Sequence, residues 1–276
     1  MFLKCNSQII VCCLLFNGSF QVARAQAKPD GNTIVKKMMA KYHSLNSFQE
    51  VAEAKVIENN SQMIQSSTLK YQKPQNFSLT SIDPQIGTVL SQVNEKGILV
   101  YSGKQNIFTR RKPQPTLKDS LNRLQNASLY SLRIPVTQAL SPLSFLAAST
   151  MPVEANQFRL TGVRMVAGRP AYVVRALAKL EWLQSLAKGV TILAKSRGIT
   201  LYIDKQSFLL VRATCAITFM TTLPGEPLSS KPTNPAGFAF DEYHRAIIEN
   251  GAINAQEFNF TLPAGALEKY ANTQDG

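Results

Sequence analysis

Two periods of apolar residues divide this chain, and their order predicts its architecture. Between Leu209 and Phe219 the odd positions Leu209, Val211, Ala213, Cys215, Ile217 and Phe219 are all apolar, whereas the positions between them include Arg212, Thr214 and Thr218. A period of two marks a strand with one buried face. Ile199, Leu201 and Ile203 repeat the pattern upstream, and Asp204-Lys205-Gln206-Ser207 lies between the runs as a polar turn of hairpin length. The stretch 198–220 therefore predicts a long hairpin with one apolar face.

Elsewhere the pattern alternates between helix and strand. Asn32 is placed to cap a helix whose apolar positions Ile34, Val35, Met38, Met39, Tyr42 and Leu45 follow helical spacing. Short alternating runs at 48–57, 63–71, 77–82, 89–93, 98–101 and 107–110 follow, separated by turn residues such as Asn59-Asn60, Asp83-Pro84 and Ser102-Gly103. Connections this short leave no room for parallel crossovers and predict an antiparallel meander. Prolines at 113, 115, 135, 142 and 152 then break the pattern around two weak helices, 117–125 and one near Leu143, Leu146 and Ala147. Strands resume at 158–166 and 171–177, and a short amphipathic helix at 180–187 carries Trp182. After the hairpin comes a loop at 224–237, then a closing pair of strands at 238–248 and 252–262 turned by Asn250-Gly251. The sum is a mainly β (α+β) chain of about eleven antiparallel strands, with no internal repeat.

The first residues change the picture of where this sheet resides. Lys4 precedes a short apolar run at 9–16, and Ala23-Arg24-Ala25 offers small-residue cleavage, the pattern of an export signal over 1–25 followed by one domain over 26–276. Cleavage after Ala27 fits as well. Removing 1–25 takes away Lys4 and Arg24, leaving 28 basic against 17 acidic residues, a net charge of +11. Such an excess favours anionic partners, a membrane surface among them, and equally serves as plain solubilising charge. Nucleic acid is a poor fit for an exported chain without basic-aromatic motifs. Processing also leaves Cys215 as the sole cysteine, so no internal disulfide is expected and the thiol reads as a small core residue.

Catalytic and metal-binding patterns are missing. His43 and His244 are the only histidines, with no cysteine or second histidine at ligand spacing, and read as solvated or hydrogen-bonded side chains. Glu50 and Glu53 stand three apart on a strand and hence on opposite faces, which excludes them as a carboxylate pair. Neither a nucleophile elbow nor a phosphate-binding glycine loop is present. No enzyme activity, cofactor or metal is expected.

Four stretches carry a resemblance: the helix-to-strand change at 34–48, ending in SLNSF; LKYQKPQNFSL at 69–79; NEKGILVYSGKQNIFT at 94–109; and QEFNFTLPAGA at 256–266. Together they resemble the outer-membrane lipoprotein carrier family (LolA-like), whose members have strands at these places and a Phe-x-Phe-x-x-Pro-x-Gly ending. The resemblance implies an incomplete antiparallel β-barrel around an apolar concavity covered by lid helices. It further implies transport of acylated lipoproteins across the periplasm. Family members carry arginine before the proline of the second strand, in contact with the lid. This chain has Lys73 there, which keeps the charge but lacks the planar multi-donor fork.

The reading that follows is a periplasmic carrier or binder of lipid or acylated lipoprotein. Phe77, Leu79, Leu201, Val211, Ala213, Ile217 and Phe219 would line the apolar site under a lid containing Leu140, Leu143 and Leu146, with Lys73 as the lid contact. Envelope membrane proteins that load or unload it would be its protein partners. An envelope-stress sensor or protein-interaction module of the same fold, its hollow filled by its own side chains, is the alternative. An outer-membrane barrel fits the alternation too, although the proline-rich centre and the polar tail at 268–276 count against it.

Overall fold

In the computed structural model, which describes residues 29–58, 61–84, 87–121, 123–124, 157–179, 192–222 and 234–269, helix α1 (Gly31–Ser44) precedes all the strands. Its cap is Asp30 rather than Asn32: the Asp30 carboxylate accepts from the Thr33 backbone N–H at 2.8 Å. Asn32 instead accepts from the Phe158 backbone N–H at 3.4 Å, tying the first turn to the start of a later strand. The approach there is close. A Cβ on Gly31 would lie 2.3 Å from the Phe158 carbonyl oxygen, so only glycine fits. Ile34, Val35, Met38 and Tyr42 are buried on one helical face, as their spacing predicts.

Two antiparallel meanders make the sheet. The first contains β1 (Ser47–Glu58), β2 (Ser61–Gln72), β3 (Asn76–Asp83), β4 (Gly87–Asn94), β5 (Gly97–Ser102) and β6 (Ile107–Arg111). The second contains β7 (Arg159–Val166), β8 (Arg169–Leu177), β9 (Ile192–Asp204), β10 (Leu210–Thr221) and β11 (Asn234–Glu249). Pairing of β1 with β11 fuses them, and with β12 (Leu267–Glu268) they give one 12-stranded sheet in the order β12-β6-β5-β4-β3-β2-β1-β11-β10-β9-β8-β7. The sheet is open, with β12 and β7 at its edges among the described residues: an incomplete barrel. Helix α1 crosses one face of it, from Phe158 beside β7 to Lys41, which pairs with Glu249 of β11. Fourteen residues span about 21 Å as a helix, close to the roughly 19 Å covered by the four inter-strand steps from β7 to β11.

Three expectations are corrected. Residues 252–262 do not form a strand paired with β11, because β1 and β10 already occupy both of its sides. The segment instead makes a short 3₁₀ turn (Ala255–Phe258) and lies over the face of β3–β5 opposite to α1. There Phe258 is buried, its carbonyl accepts from Asn94 Nδ2 at 2.8 Å, and the Phe260 ring meets Tyr101 at 5.3 Å. This cover is why every residue of β5 is buried and why GILVYS reads as a nearly continuous apolar run. The chain then adds β12 to the sheet edge in parallel with β6, the one departure from antiparallel pairing among the described strands. Lastly, β11 starts at Asn234, inside the stretch 224–237 expected to be loop.

Candidate functional site

Most of the residues predicted to bind ligand do converge. Phe77 and Leu79 of β3, Leu201 of β9, and Ala213 and Ile217 of β10 all belong to one buried apolar cluster on the α1 side, together with Ile34, Met38 and Tyr42. None of the five is more than 2 % exposed. Phe219 packs against this cluster at its margin and is half-buried. Leu140, Leu143 and Leu146, and the helices around them and around Trp182, lie outside the described residues.

Val211 does not join them. β10 carries a bulge between Leu210 and Arg212, where Val211 is the extra residue against Ile203 and Tyr202 of β9. The extra residue shifts the alternation by one, so Leu209 and Leu210 belong to the α1-side cluster while Val211 packs with Val166, Ala171, Tyr202 and Tyr243 in a second one. Arg212 sits between the Tyr202 and Tyr243 rings, 4.9 and 4.7 Å from their centroids, and both its Nε and Nη2 donate to Asp241 at 2.7 Å.

Lys73 reaches back to the helix. Its ammonium donates to the His43 carbonyl at 3.1 Å, near the C-terminus of α1, where a cation complements the helix dipole. The contact seen for Lys73 among the described residues is thus to α1. The backbone assists: Lys73 N–H donates to the Asn46 carbonyl at 2.8 Å.

A polar cluster interrupts the apolar face. Along β11 the inward residues are Phe240, Glu242 and His244, and all three are buried. Glu242 lies between Ala213 of β10 and Ala54 of β1, and His244 opposite Ala52, so three alanines flank the pair across the strands. Glu50 faces them from β1. It stands at a second bulge, where Ala246 and Ile247 of β11 oppose it, and its Oε2 lies 3.1 Å from His244 Nδ1. His244 Nε2 and Glu242 Oε2 are fully buried and have no hydrogen-bond partner among the described residues. Burial pushes the Glu242 carboxyl up to about 7, with the neighbouring imidazole acting against the shift and Glu50 adding to it. His244 is raised from its ordinary value: burial opposes its charged form, but the Glu50 carboxylate and the hydrogen bond between them prevail. Tyr42, whose hydroxyl accepts from the Leu210 backbone N–H at 3.2 Å, is raised by burial first and by Glu50 second.

Sequence reasoning passed over this cluster although one signal was available. Phe48, Ala52, Ala54 and Val56 occupy even positions of β1, and Glu50 is the charged residue set among them in that same register. Parity alone places it on the buried side. Glu53 is exposed, as its opposite parity requires. Among the described residues no group of acidic, histidine or cysteine side chains is arranged to hold a metal ion.

Two clefts open on the other face, beside the C-terminal segment. One of about 280 Å³ lies between Lys70, Ser78, Thr80 and Glu257, the other of about 230 Å³ between Asn94, Lys96, Arg110 and Thr261, with Phe260 shared by both. Lys70 and Glu257 form an ion pair across the first. Their linings mix polar and apolar side chains, unlike the α1 side of the sheet.

Neither a protein-family model nor a curated protein matches the sequence. Solved structures similar to this one include a LolA superfamily protein from Nitrosomonas europaea, 9% identical, covering 84% of this chain and 98% of that one with a TM-score of 0.35. A lipoprotein-sorting protein domain from Vibrio parahaemolyticus is 10% identical over 83% of this chain and 96% of its own, with a TM-score of 0.34. The lipoprotein LppX of Mycobacterium tuberculosis is 15% identical over 80% of this chain and 95% of its own, with a TM-score of 0.40.

Proposed function

We propose that this protein is an exported, periplasmic binder or carrier of lipid or acylated lipoprotein, which shelters acyl chains against the α1-side face of its sheet. One observation carries the reading. Apolar side chains from β3, β9 and β10, contributed by both meanders, gather on a single face of an open sheet, with helix α1 laid across it. An acyl chain moving from water to such a surface gains about 0.8 kcal/mol per methylene, so a long chain supplies on the order of ten kcal/mol. The basic excess of the mature chain suits approach to an anionic envelope surface.

A second reading, an interaction or sensory module of the same fold, draws on the depth of burial. With α1 seated, the five residues that converge are at most 2 % exposed, as expected of a face filled by the protein's own side chains. Uptake of a fluorescent fatty acid separates the two. The carrier reading predicts saturable binding by the wild-type protein, weakened about tenfold by Phe219→Glu, which places a charge at the half-buried margin without opening the packed centre. Absence of saturable uptake favours the interaction module.

A further inference from the structure

We infer that Glu242 and His244 form a polar anchor, set into the apolar face, for the hydroxyl group of a neutral amphiphile. The inference rests on the proposed function, since it names what the same face would recognise beyond an acyl chain.

Two atoms of the cluster point to such a ligand. Glu242 is 2 % and His244 6 % exposed, yet Glu242 Oε2 and His244 Nε2 lack a hydrogen-bond partner among the described residues. Buried polar groups are ordinarily paired, and each one left unpaired costs free energy comparable to its desolvation. Two such atoms, two residues apart on one face of one strand, call for a common partner. Their cross-strand neighbours are Ala52, Ala54 and Ala213, the smallest side chains available to a β face short of glycine. The cluster lies in the same face as Phe240, Cys215 and Leu201, so a ligand reaching it brings its apolar part into contact with apolar surroundings.

Charge selects the ligand class. His244 Nδ1 faces the Glu50 carboxylate, which accepts, so Nδ1 carries a proton and Nε2 is an acceptor in the neutral ring and a donor in the charged one. Glu242, with its carboxyl raised to about 7, presents an acid or a carboxylate near neutrality. An anionic ligand would meet the carboxylates of Glu50 and Glu242, and a cationic one would meet the imidazolium. A hydroxyl both donates and accepts, satisfies either protonation state, and brings no further charge into a buried place.

The test compares dodecanol with dodecyl methyl ether, which shares the chain and one oxygen but cannot donate, by titration calorimetry at neutral pH. Wild-type protein should bind the alcohol about tenfold more tightly. Glu242→Leu should abolish that preference, so that alcohol and ether bind alike, and Glu242→Gln, which keeps a hydrogen-bonding end, should restore much of it. Equal affinities for alcohol and ether in the wild type overturn the inference, including the case in which a trapped water satisfies both atoms. A preference that survives in Glu242→Leu overturns it as well. The wild-type comparison stands even where the leucine variant does not fold. If neither probe binds, the acyl-binding function itself fails and the anchor falls with it, whereas binding without discrimination removes the anchor alone.

Discussion

At the scale of single residues, Glu242 makes the stability of this fold sensitive to pH. Burial pushes its carboxyl from 4.5 up to about 7, so between those values the folded protein holds a proton that the unfolded chain releases. Stability from this group is therefore complete below about pH 4.5 and falls as pH rises towards 7, by on the order of 3 kcal/mol. His244 acts in the same sense: its raised value means that its contribution is present at low pH and lost as pH rises through the folded value. The charged group that acts on both is Glu50 of β1, which also raises the Tyr42 hydroxyl of α1. The thermal midpoint should decline between about pH 5 and pH 7.5, and Glu242→Gln should flatten the decline. Superimposable profiles for the two proteins would show that Glu242 does not titrate in this range. Cys215 makes no comparable contribution, because burial pushes its thiol up to about 12 and keeps it protonated.

At the scale of elements, α1 holds its place through its ends as much as through its buried face. Asp30 accepts from the first turn, Lys73 donates to the His43 carbonyl in the last, and Lys41 pairs with Glu249. Replacing Asp30 with alanine removes a cap and should lower stability by about 1 kcal/mol, measurable as a shifted urea midpoint with unchanged slope. An unchanged midpoint would mean that the first turn is held by packing against Phe158 alone. Elements of this kind were legible in the sequence wherever one period persisted. The helical spacing from Ile34 to Tyr42, the alternation of Ile199, Leu201 and Ile203, and the short turns between β1 and β6 all gave the right element in the right order. Legibility failed where a single residue breaks the period. The bulge at Val211 moves that side chain to the second cluster, and nothing in LLVRATC distinguishes a bulged strand from a regular one. The segment 252–262 alternates like a strand but is excluded from the position beside β11 by strands that join from elsewhere in the chain. Pairings of that range are a property of the whole sheet.

At the scale of the molecule, the two meanders are joined at β1 and β11, and the buried polar cluster sits at that seam, with Glu50 on one strand and Glu242 and His244 on the other. The apolar face runs to both sides of it, from Val100 of β5 to Val174 of β8. Its opposite face is covered over β3–β5 by the C-terminal segment. On the α1 side itself, Val163 and Met165 of the edge strand β7, the former in register with Tyr172, are exposed to 49 % and 66 %. The central claim, that the α1-side face shelters acyl chains, is tested most directly by native mass spectrometry of the protein extracted from its own envelope without detergent exchange. The account predicts a population heavier than the bare chain by the mass of a lipid or acylated polypeptide, released on activation. Lipid-free protein in stable association with a polypeptide that carries no acyl group would contradict it.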